Sequence, residues 1–478
     1  MRGAVRHHVA GRRLILENSA AMTRHSLGAT GMSIKKVDVM IFVALCSFIF
    51  INSFFIHRVS FVDSVAFFLV CTSSAAVIFL YRQKGATLLK LFFLFSFLFF
   101  GFVPPLELYY GEVYWGGRPF SAGDYGYAAL LVLFFNVVVF VSYLLTSRSG
   151  YLSSETDARL PEQDRVRLEF IQVLLLVGVS AMACLLILYM NDFNVYSLVF
   201  RGGELVQRKS LDSVSSSLLY GFFIRFIPIS TAIVMLFMVR GMWPIKALLL
   251  VIGVVSAFPT GLARLSVPTY YFPLLFFFFP RLLKNNRVPL LVSLGIVFVF
   301  PFLEGFRRYS SESGLSYSLD YKFLLAGHFD AFQNFTRIIT DDFVSYGYQL
   351  LGVLFFYVPR SFWSSKPVGT GHALAEQENY NLANISATWY AEGWANFGFL
   401  GALLFSVLIG VVMAKLDRKY WLGHSRPFFR IMYLVLLGYV FFLLRGDLMS
   451  GMAFLIGTMM AIAVPYLIIS RVRLHRFL

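Results

Sequence analysis

The chain consists of long apolar stretches separated by shorter polar ones. Apolar runs of about 20 residues, the length at which a helix crosses the hydrocarbon core of a bilayer, recur along most of the sequence. This pattern predicts an all-α polytopic membrane protein with about 12 transmembrane helices. The predicted spans are 37–56, 61–81, 88–106, 125–145, 170–190, 218–238, 247–262, 266–280, 289–303, 399–415, 430–446 and 453–470.

One polar interruption, 304–398, is far longer than the others and is the predicted location of the functional groups. It separates transmembrane helices 1–9, within 32–303, from helices 10–12, within 399–478. Residues 1–31 are basic, and their apolar run is too short for a signal peptide. They are interpreted either as a disordered cytoplasmic arm or as a segment upstream of the true start at Met22 or Met32, with the second interpretation favoured.

Composition and charge agree with this class of protein. Hydrophobic residues make up 58% of the chain and charged residues 14%, which is typical of a protein surrounded by lipid. The net charge of +16 would indicate nucleic acid in a soluble protein, but most Lys and Arg residues here border predicted spans. No nucleic-acid partner is therefore predicted.

The basic residues also predict the topology. Alternate connections carry unequal basic charge, so the positive-inside rule places both termini in the cytoplasm and the 304–398 loop outside. The pair of spans within 247–280 is short and contains Pro259, Pro268 and Pro273. A re-entrant pair is the alternative there, and it leaves the rest of the topology unchanged.

The segment 323–339 carries the first candidate chemistry. Helical spacing places His328 on an apolar face and Asp330, Asn334 and Arg337 on the other, which predicts a helix lying along the membrane surface with its apolar face against lipid or the bundle. His328 is either a packed interfacial residue or a general base. Asp330 is either a competing base or a partner of Arg337 or Asn334. Glu392, at the start of a later span, is a reserve base or a helix cap.

Arginines form the second group of candidates. An arginine near membrane depth is costly unless it is paired or faces water, and acidic residues are scarce within the spans. Guanidinium groups bind phosphate through two parallel hydrogen bonds, so a lipid diphosphate is the expected ligand and contact with lipid head groups is the alternative. The candidates for diphosphate binding are Arg201, Arg264, Arg307 and Arg360.

Other familiar chemistry is missing from the sequence. It contains no Walker loop, HExxH, GxSxG or DxD motif. The three cysteines, Cys46, Cys71 and Cys184, all fall within predicted spans, where they form neither a loop disulfide framework nor a spaced metal site. No metal and no cofactor are predicted.

Two stretches carry a family resemblance. The large loop contains PRSFWSSKP at 359–367, and AEGWANFGFLGALLFSVLIG at 391–410 leads into the next span. This arrangement resembles the Wzy-type O-antigen polymerases and related oligosaccharide repeat unit polymerases. Some members carry an Arg-x10-Gly pattern in two external loops. Arg360 and Gly371 fit that pattern, whereas neither Arg201 nor Arg208 does.

The resemblance implies a GT-C-like fold and a metal-independent glycosyltransferase at the periplasmic face of the bacterial inner membrane. Its implied partners are undecaprenyl-diphosphate-linked oligosaccharides as donor and acceptor, membrane lipids, and a chain-length regulator protein. The expected product is O-antigen for lipopolysaccharide, or a related surface polysaccharide.

The leaving group suggests the expected reaction. An acceptor hydroxyl attacks the anomeric carbon of the donor glycan, and arginines stabilise the departing lipid diphosphate. An O-antigen ligase is the alternative within glycan chemistry. A lipid-linked oligosaccharide flippase or other transporter is the alternative from another class. It is disfavoured because this chain concentrates polarity outside the bundle rather than within it.

Overall fold

The computed structural model describes residues 61–81, 85–147, 165–307, 321–422 and 425–471, with short gaps at 203–204, 207, 212–213 and 265 and a few isolated positions elsewhere. All regular elements in these ranges are helical. The helices are α1 Phe61–Leu80, α2 Leu88–Tyr110, α3 Ala122–Ser147, α4 Phe170–Met190, α5 Ser216–Met238, α6 Trp243–Ser256, α7 Val267–Phe278, α8 Arg287–Gly305, α9 Ala331–Thr340, α10 Tyr348–Leu354, α11 Thr370–Gln377, α12 Trp389–Trp421, α13 Pro427–Arg445 and α14 Leu448–Arg471.

The protein is a multi-pass membrane protein. Ten helices of the described part of the chain are long and apolar enough to cross a membrane, and α7 is a shorter apolar helix. Eleven of the predicted spans coincide with α1–α8 and α12–α14. The remaining one, 37–56, lies almost entirely outside the described residues, as does the N-terminal arm 1–31.

The connections between helices gather at two ends of the bundle. At one end, the Thr260 hydroxyl donates to the Val199 carbonyl at 2.6 Å, and the Arg445 guanidinium reaches Asp330 at 2.8 Å. At the other end, the Ala86 amide donates to the Leu283 carbonyl at 2.8 Å. This grouping separates the connections into the same two sets as the predicted topology. We call the end that contains 321–388 the polar end.

The short pair α6 and α7 runs from one end of the bundle to the other and back, which favours two spans over the re-entrant alternative for 247–280. Shortly before α6, Val239 forms an isolated backbone bridge with Val166. The chain then passes through α6 and reaches the polar end at Gly261. It then returns through α7 to Leu283. Gly261 is required at the turn because a Cβ there would lie 1.8 Å from the Leu198 carbonyl oxygen.

Two helices contain π-helical segments directly before prolines. In α2 the segment Ser96–Phe102 precedes Pro104, and in α8 the segment Gly295–Val299 precedes Pro301. Proline has no N–H to donate and its ring clashes with the carbonyl four residues earlier, so a wider turn accommodates it. The π-helical segment of α8 lines the cavity described below.

Helix α12 consists of two parts that fold back on each other. A straight helix would separate Trp389 from Phe405 by about 24 Å, yet the Trp389 indole N–H donates to the Phe405 carbonyl at 2.7 Å. The reversal occurs at Phe397 and Gly398, and Gly398 has a φ of 60° that favours glycine. Residues 389–396, which the sequence assigned to the external loop, are therefore packed inside the bundle.

Helix α9 packs its apolar face against the bundle, one of the two predicted arrangements, and its polar face is covered as well. Nine of its ten residues are buried. Its apolar face meets α1 and α3, with the Phe332 ring 5.5 Å from the Phe67 ring and 5.0 Å from the Tyr125 ring. Its polar face is covered by the connections 111–121 and 378–388, whose polar groups replace water as hydrogen-bond partners.

Arg337 joins α9 to both of these connections. Its side chain is fully buried, donates to the Tyr380 hydroxyl at 3.1 Å and to the Arg118 carbonyl at 2.6 Å, and lies 3.7 Å from the Asp341 carboxylate. Its guanidinium also stacks 4.3 Å from the centre of the Phe120 ring. It therefore holds the polar end together.

We expect Arg337→Met to destabilise the protein by about 3 kcal/mol, because the substitution leaves buried partners unpaired. Thermal unfolding of the protein in detergent micelles, followed by tryptophan fluorescence, measures the change. Arg418→Gln is the control, since its side chain is exposed. Equal unfolding temperatures for Arg337→Met and the control would contradict this role.

Candidate functional site

Arg264 lies at the polar end, in the connection between α6 and α7. Its guanidinium pairs with the Glu304 carboxylate at 2.8 Å, and only 7% of its side chain is exposed. Burial lowers the pKa of Arg264 to about 10, and Glu304 partly offsets that effect. The group is therefore cationic at neutral pH. Its Nη1 is buried without a hydrogen-bond partner among the described residues, which leaves the two N–H groups of that nitrogen for a ligand.

His328 lies close to Arg264 because both contact Phe300 of α8. The Arg264 guanidinium is 4.1 Å from the centre of the Phe300 ring, and the His328 imidazole ring is 4.8 Å from it. Gly327 precedes the histidine and lies against Trp115, where a Cβ would be 2.3 Å from the indole. A short 3-10 turn, Gly327–Phe329, thus brings a titratable imidazole beside a buried arginine.

Arg201 and Arg307 join Arg264 around Glu304. The Arg201 amide donates to the Phe306 carbonyl at 3.1 Å, which places the 200–202 segment along the end of α8. Burial lowers the pKa of Arg201, and the nearby positive charge of Arg307 lowers it further. Both arginines also lower the pKa of Arg264. Three of the four predicted diphosphate contacts therefore lie within electrostatic range of one another.

An apolar cavity opens beside Arg264. It has a volume of about 390 Å³ and lies between α7, α8 and α13. Apart from Arg264, its lining is almost entirely aliphatic and aromatic and includes Val267, Phe272, Ile296 and Phe441. The arrangement joins a cation to a hydrocarbon-lined space, which suits a molecule with an anionic head and an apolar chain.

Asp330 is engaged by four donors. Its carboxylate accepts hydrogen bonds from the Arg445 guanidinium at 2.8 Å, the Trp115 indole at 2.9 Å, the Asn334 amide at 3.0 Å and the Ser386 backbone N–H at 3.2 Å. The predicted Asn334 partner is present, but the ion pair is made with Arg445 instead of Arg337. The carboxylate therefore holds the side chains of Arg445, Trp115 and Asn334 in place.

Glu392 connects three elements instead of capping its own helix. Its carboxylate accepts from the Thr370 hydroxyl at 2.7 Å and from the backbone N–H of Leu448, the first residue of α14, at 2.6 Å. The cap of α12 is Thr388, whose hydroxyl accepts from the Ala391 N–H at 3.3 Å. Glu392 is fully enclosed, so it joins α11 and the start of α14 to its own helix.

Arg360 is not brought to the cluster. It is exposed, and its guanidinium donates to the carbonyls of Lys366 at 2.7 Å and Pro367 at 3.3 Å within its own loop. These contacts shape the PRSFWSSKP segment.

Sequence reasoning missed two residues of the polar end. Arg445 bonds the carbonyl oxygen of His328 at 2.7 Å and also holds Asp330. Glu107 is fully buried and accepts from the hydroxyls of Tyr114 at 2.9 Å and Tyr125 at 3.2 Å. Both are ionisable residues at the ends of apolar runs, and that position was the available signal.

Within the described ranges, no group of three or more His, Cys, Asp or Glu side chains lies close enough together to hold a metal ion.

Comparisons of the chain with protein-family models, with curated proteins and with solved structures find no match.

Proposed function

We propose that this protein is a membrane glycosyltransferase of the Wzy type, with a GT-C-like arrangement of about 12 spans. It would polymerise undecaprenyl-diphosphate-linked oligosaccharides into O-antigen or a related polysaccharide. The observation that carries the proposal is the cationic site of Arg201, Arg264 and Arg307 at the opening of an apolar cavity, with His328 beside it. The resemblance of 359–367 and 391–410 to such polymerases supports it.

In the proposed reaction, the diphosphate of the donor binds the arginine cluster and its isoprenoid chain occupies the apolar cavity. The acceptor hydroxyl attacks the anomeric carbon and gives its proton to the His328 imidazole. The bond from the anomeric carbon to the diphosphate oxygen breaks, and the lipid diphosphate leaves with both electrons of that bond. The arginines stabilise the charge that develops on this oxygen.

Glu304 has a supporting part in this scheme. In the absence of ligand it pairs with Arg264 and reduces the repulsion among the three arginines. One carboxylate does not neutralise three guanidinium groups, so the site retains a net positive charge that favours an anionic ligand. The dianionic diphosphate group meets that requirement.

The proposed location is the bacterial inner membrane, with both termini in the cytoplasm and the polar end at the periplasmic face. The basic connections at the opposite end support this orientation under the positive-inside rule. Donor and acceptor lipids reach the site from the bilayer, and a chain-length regulator protein is the proposed protein partner.

Deleting the gene in its host tests the function. We expect surface glycan that carries one repeat unit but no ladder of longer chains, because flipping and ligation remain intact. Gel separation of the extracted glycan measures this, and complementation with the wild-type gene is the control. Polymer that accumulates on the lipid carrier without reaching the surface would identify a ligase instead. Units trapped on the cytoplasmic side would identify a flippase.

A further inference from the structure

A second cavity lies at the polar end, between the end of α4 and the start of α5. It has a volume of about 390 Å³ and, unlike the cavity beside Arg264, its lining is polar. The residues that define it are Asn191, Arg208, Lys209, Ser217, Tyr220 and Arg225. We call it the α4–α5 cavity.

This cavity carries an excess of positive charge. Arg208, Lys209 and Arg225 line it, and no acidic residue is among its lining residues. The nearest acidic partner is Asp192, whose carboxylate pairs with Lys209 at 3.3 Å. Two guanidinium groups therefore remain without an acidic partner among the described contacts of this cavity.

The two arginines make few protein contacts. Arg225 donates one hydrogen bond, to the Gly261 carbonyl at 3.2 Å, although it lies within the apolar helix α5. Arg208 makes two long hydrogen bonds of 3.4 Å, to the carbonyls of Ser197 and Phe200. A guanidinium has five N–H donors, so both groups keep donors for a ligand. An arginine within an apolar span that faces a polar cavity indicates an anion site.

The α4–α5 cavity is distinct from the Arg264 site, because the two cavities share no lining residue. They are neighbours nonetheless. The segment 196–202 contacts residues near both, since Arg208 bonds the Phe200 carbonyl and Thr260, four residues before Arg264, bonds the Val199 carbonyl at 2.6 Å.

We propose that the α4–α5 cavity is a second diphosphate site, and that it holds the diphosphate of the acceptor lipid while the Arg264 site holds that of the donor. The identification of the ligand as an acceptor rests on the proposed function, in which two lipid diphosphates must be bound at once. Lys209 and the two arginines supply the cationic contacts, and Ser217 and Tyr220 offer neutral donors for the remaining phosphate oxygens.

Direct binding tests this proposal without any transfer assay. The full-length protein is placed in nanodiscs of zwitterionic lipid, and labelled inorganic pyrophosphate is titrated against wild type, Arg225→Gln and Arg264→Gln. We expect two sites in wild type and one in each variant. At the lost site the affinity should fall by at least about tenfold, which corresponds to ~1.4 kcal/mol. Arg118→Gln is the matched control, an arginine of the polar end that lines neither cavity.

Competition with unlabelled farnesyl diphosphate identifies the source of the diphosphate. Displacement of pyrophosphate from both sites supports lipid binding in the α4–α5 cavity. Displacement of pyrophosphate from the Arg264 site alone would overturn lipid binding in the α4–α5 cavity. Arg225→Lys keeps the charge and should retain part of the binding at the second site. Because Arg225→Gln should still bind at the Arg264 site, a misfolded variant is recognised by the loss of both.

The outcomes separate this inference from the proposed function. Single-site binding by wild type, or two intact sites in Arg225→Gln, would overturn the second site even where gene deletion leaves single repeat units. Two-site binding that is displaced by farnesyl diphosphate upholds a second lipid-diphosphate site, even where gene deletion leaves polymer unchanged and the polymerase assignment fails.

Discussion

Arg264→Gln should abolish polymer formation while leaving the protein folded and at normal abundance in the membrane. The substitution removes the buried cation that meets the leaving diphosphate, and loss of one such group typically lowers kcat by about 100- to 1000-fold. Arg264→Lys should restore little, because an ammonium lacks the two-pronged geometry of guanidinium. The measurement is the glycan ladder of a deletion strain that carries each variant, together with immunoblots of the membrane fraction.

Glu304→Gln complements that experiment. Glu304 is the paired carboxylate of Arg264, so its loss removes a competitor for the guanidinium and increases the net positive charge of the site. We expect tighter binding of pyrophosphate at the Arg264 site and a weaker effect on polymer than Arg264→Gln. Arg118→Gln should behave as wild type. A normal ladder from Arg264→Gln would remove the diphosphate assignment.

His328→Gln should reduce glycosyl transfer by about 100- to 10,000-fold, the usual contribution of a general base. The wild-type rate should rise with pH over the range in which an imidazole loses its proton. The residual activity of His328→Gln should lack that rise. Pyrophosphate binding should be unchanged, since the arginines that carry it remain. Transfer measured with purified protein and lipid-linked oligosaccharide across pH gives both results.

Asp330→Asn tests whether Asp330 positions its neighbours or is itself the general base. Asp330 accepts four hydrogen bonds, and the one from Arg445 is also an ion pair, so an uncharged amide leaves Arg445 without its carboxylate. We expect lower thermal stability, with activity falling in proportion to the folded fraction and the wild-type pH dependence retained. If the pH dependence disappeared in Asp330→Asn and persisted in His328→Gln, Asp330 would be the base.

The sequence by itself determined the class of protein and the positions of its membrane-spanning helices along the chain. Apolar runs define spans whatever they pack against, because every backbone polar group within lipid must be bonded inside its own helix. For the same reason, the prediction of α1–α8 and α12–α14 needed no knowledge of contacts. The scarcity of acidic residues within the spans likewise singled out Arg264, which the structure pairs with Glu304 at the end of α8.

Only the tertiary structure decided which polar groups meet. His328 and Arg264 are 64 residues apart and are joined through Phe300, a relationship that periodicity along the chain does not encode. The helix predicted at 323–339 is buried on both faces over α9 because two distant connections supply its polar face with hydrogen bonds. Glu392 reaches the start of α14 because the chain reverses at Gly398.

Arg360 is a residue that the sequence predicted to bind the ligand and that the structure places away from the arginine cluster. Its sequence context, beside Trp363 and Lys366, suggested a ligand contact, yet its loop folds so that nearby carbonyls occupy the guanidinium. Arginine chemistry is the same at Arg264 and Arg360. The difference is burial and the path of the backbone around each side chain, and both of these depend on long-range packing that a single sequence pattern does not specify.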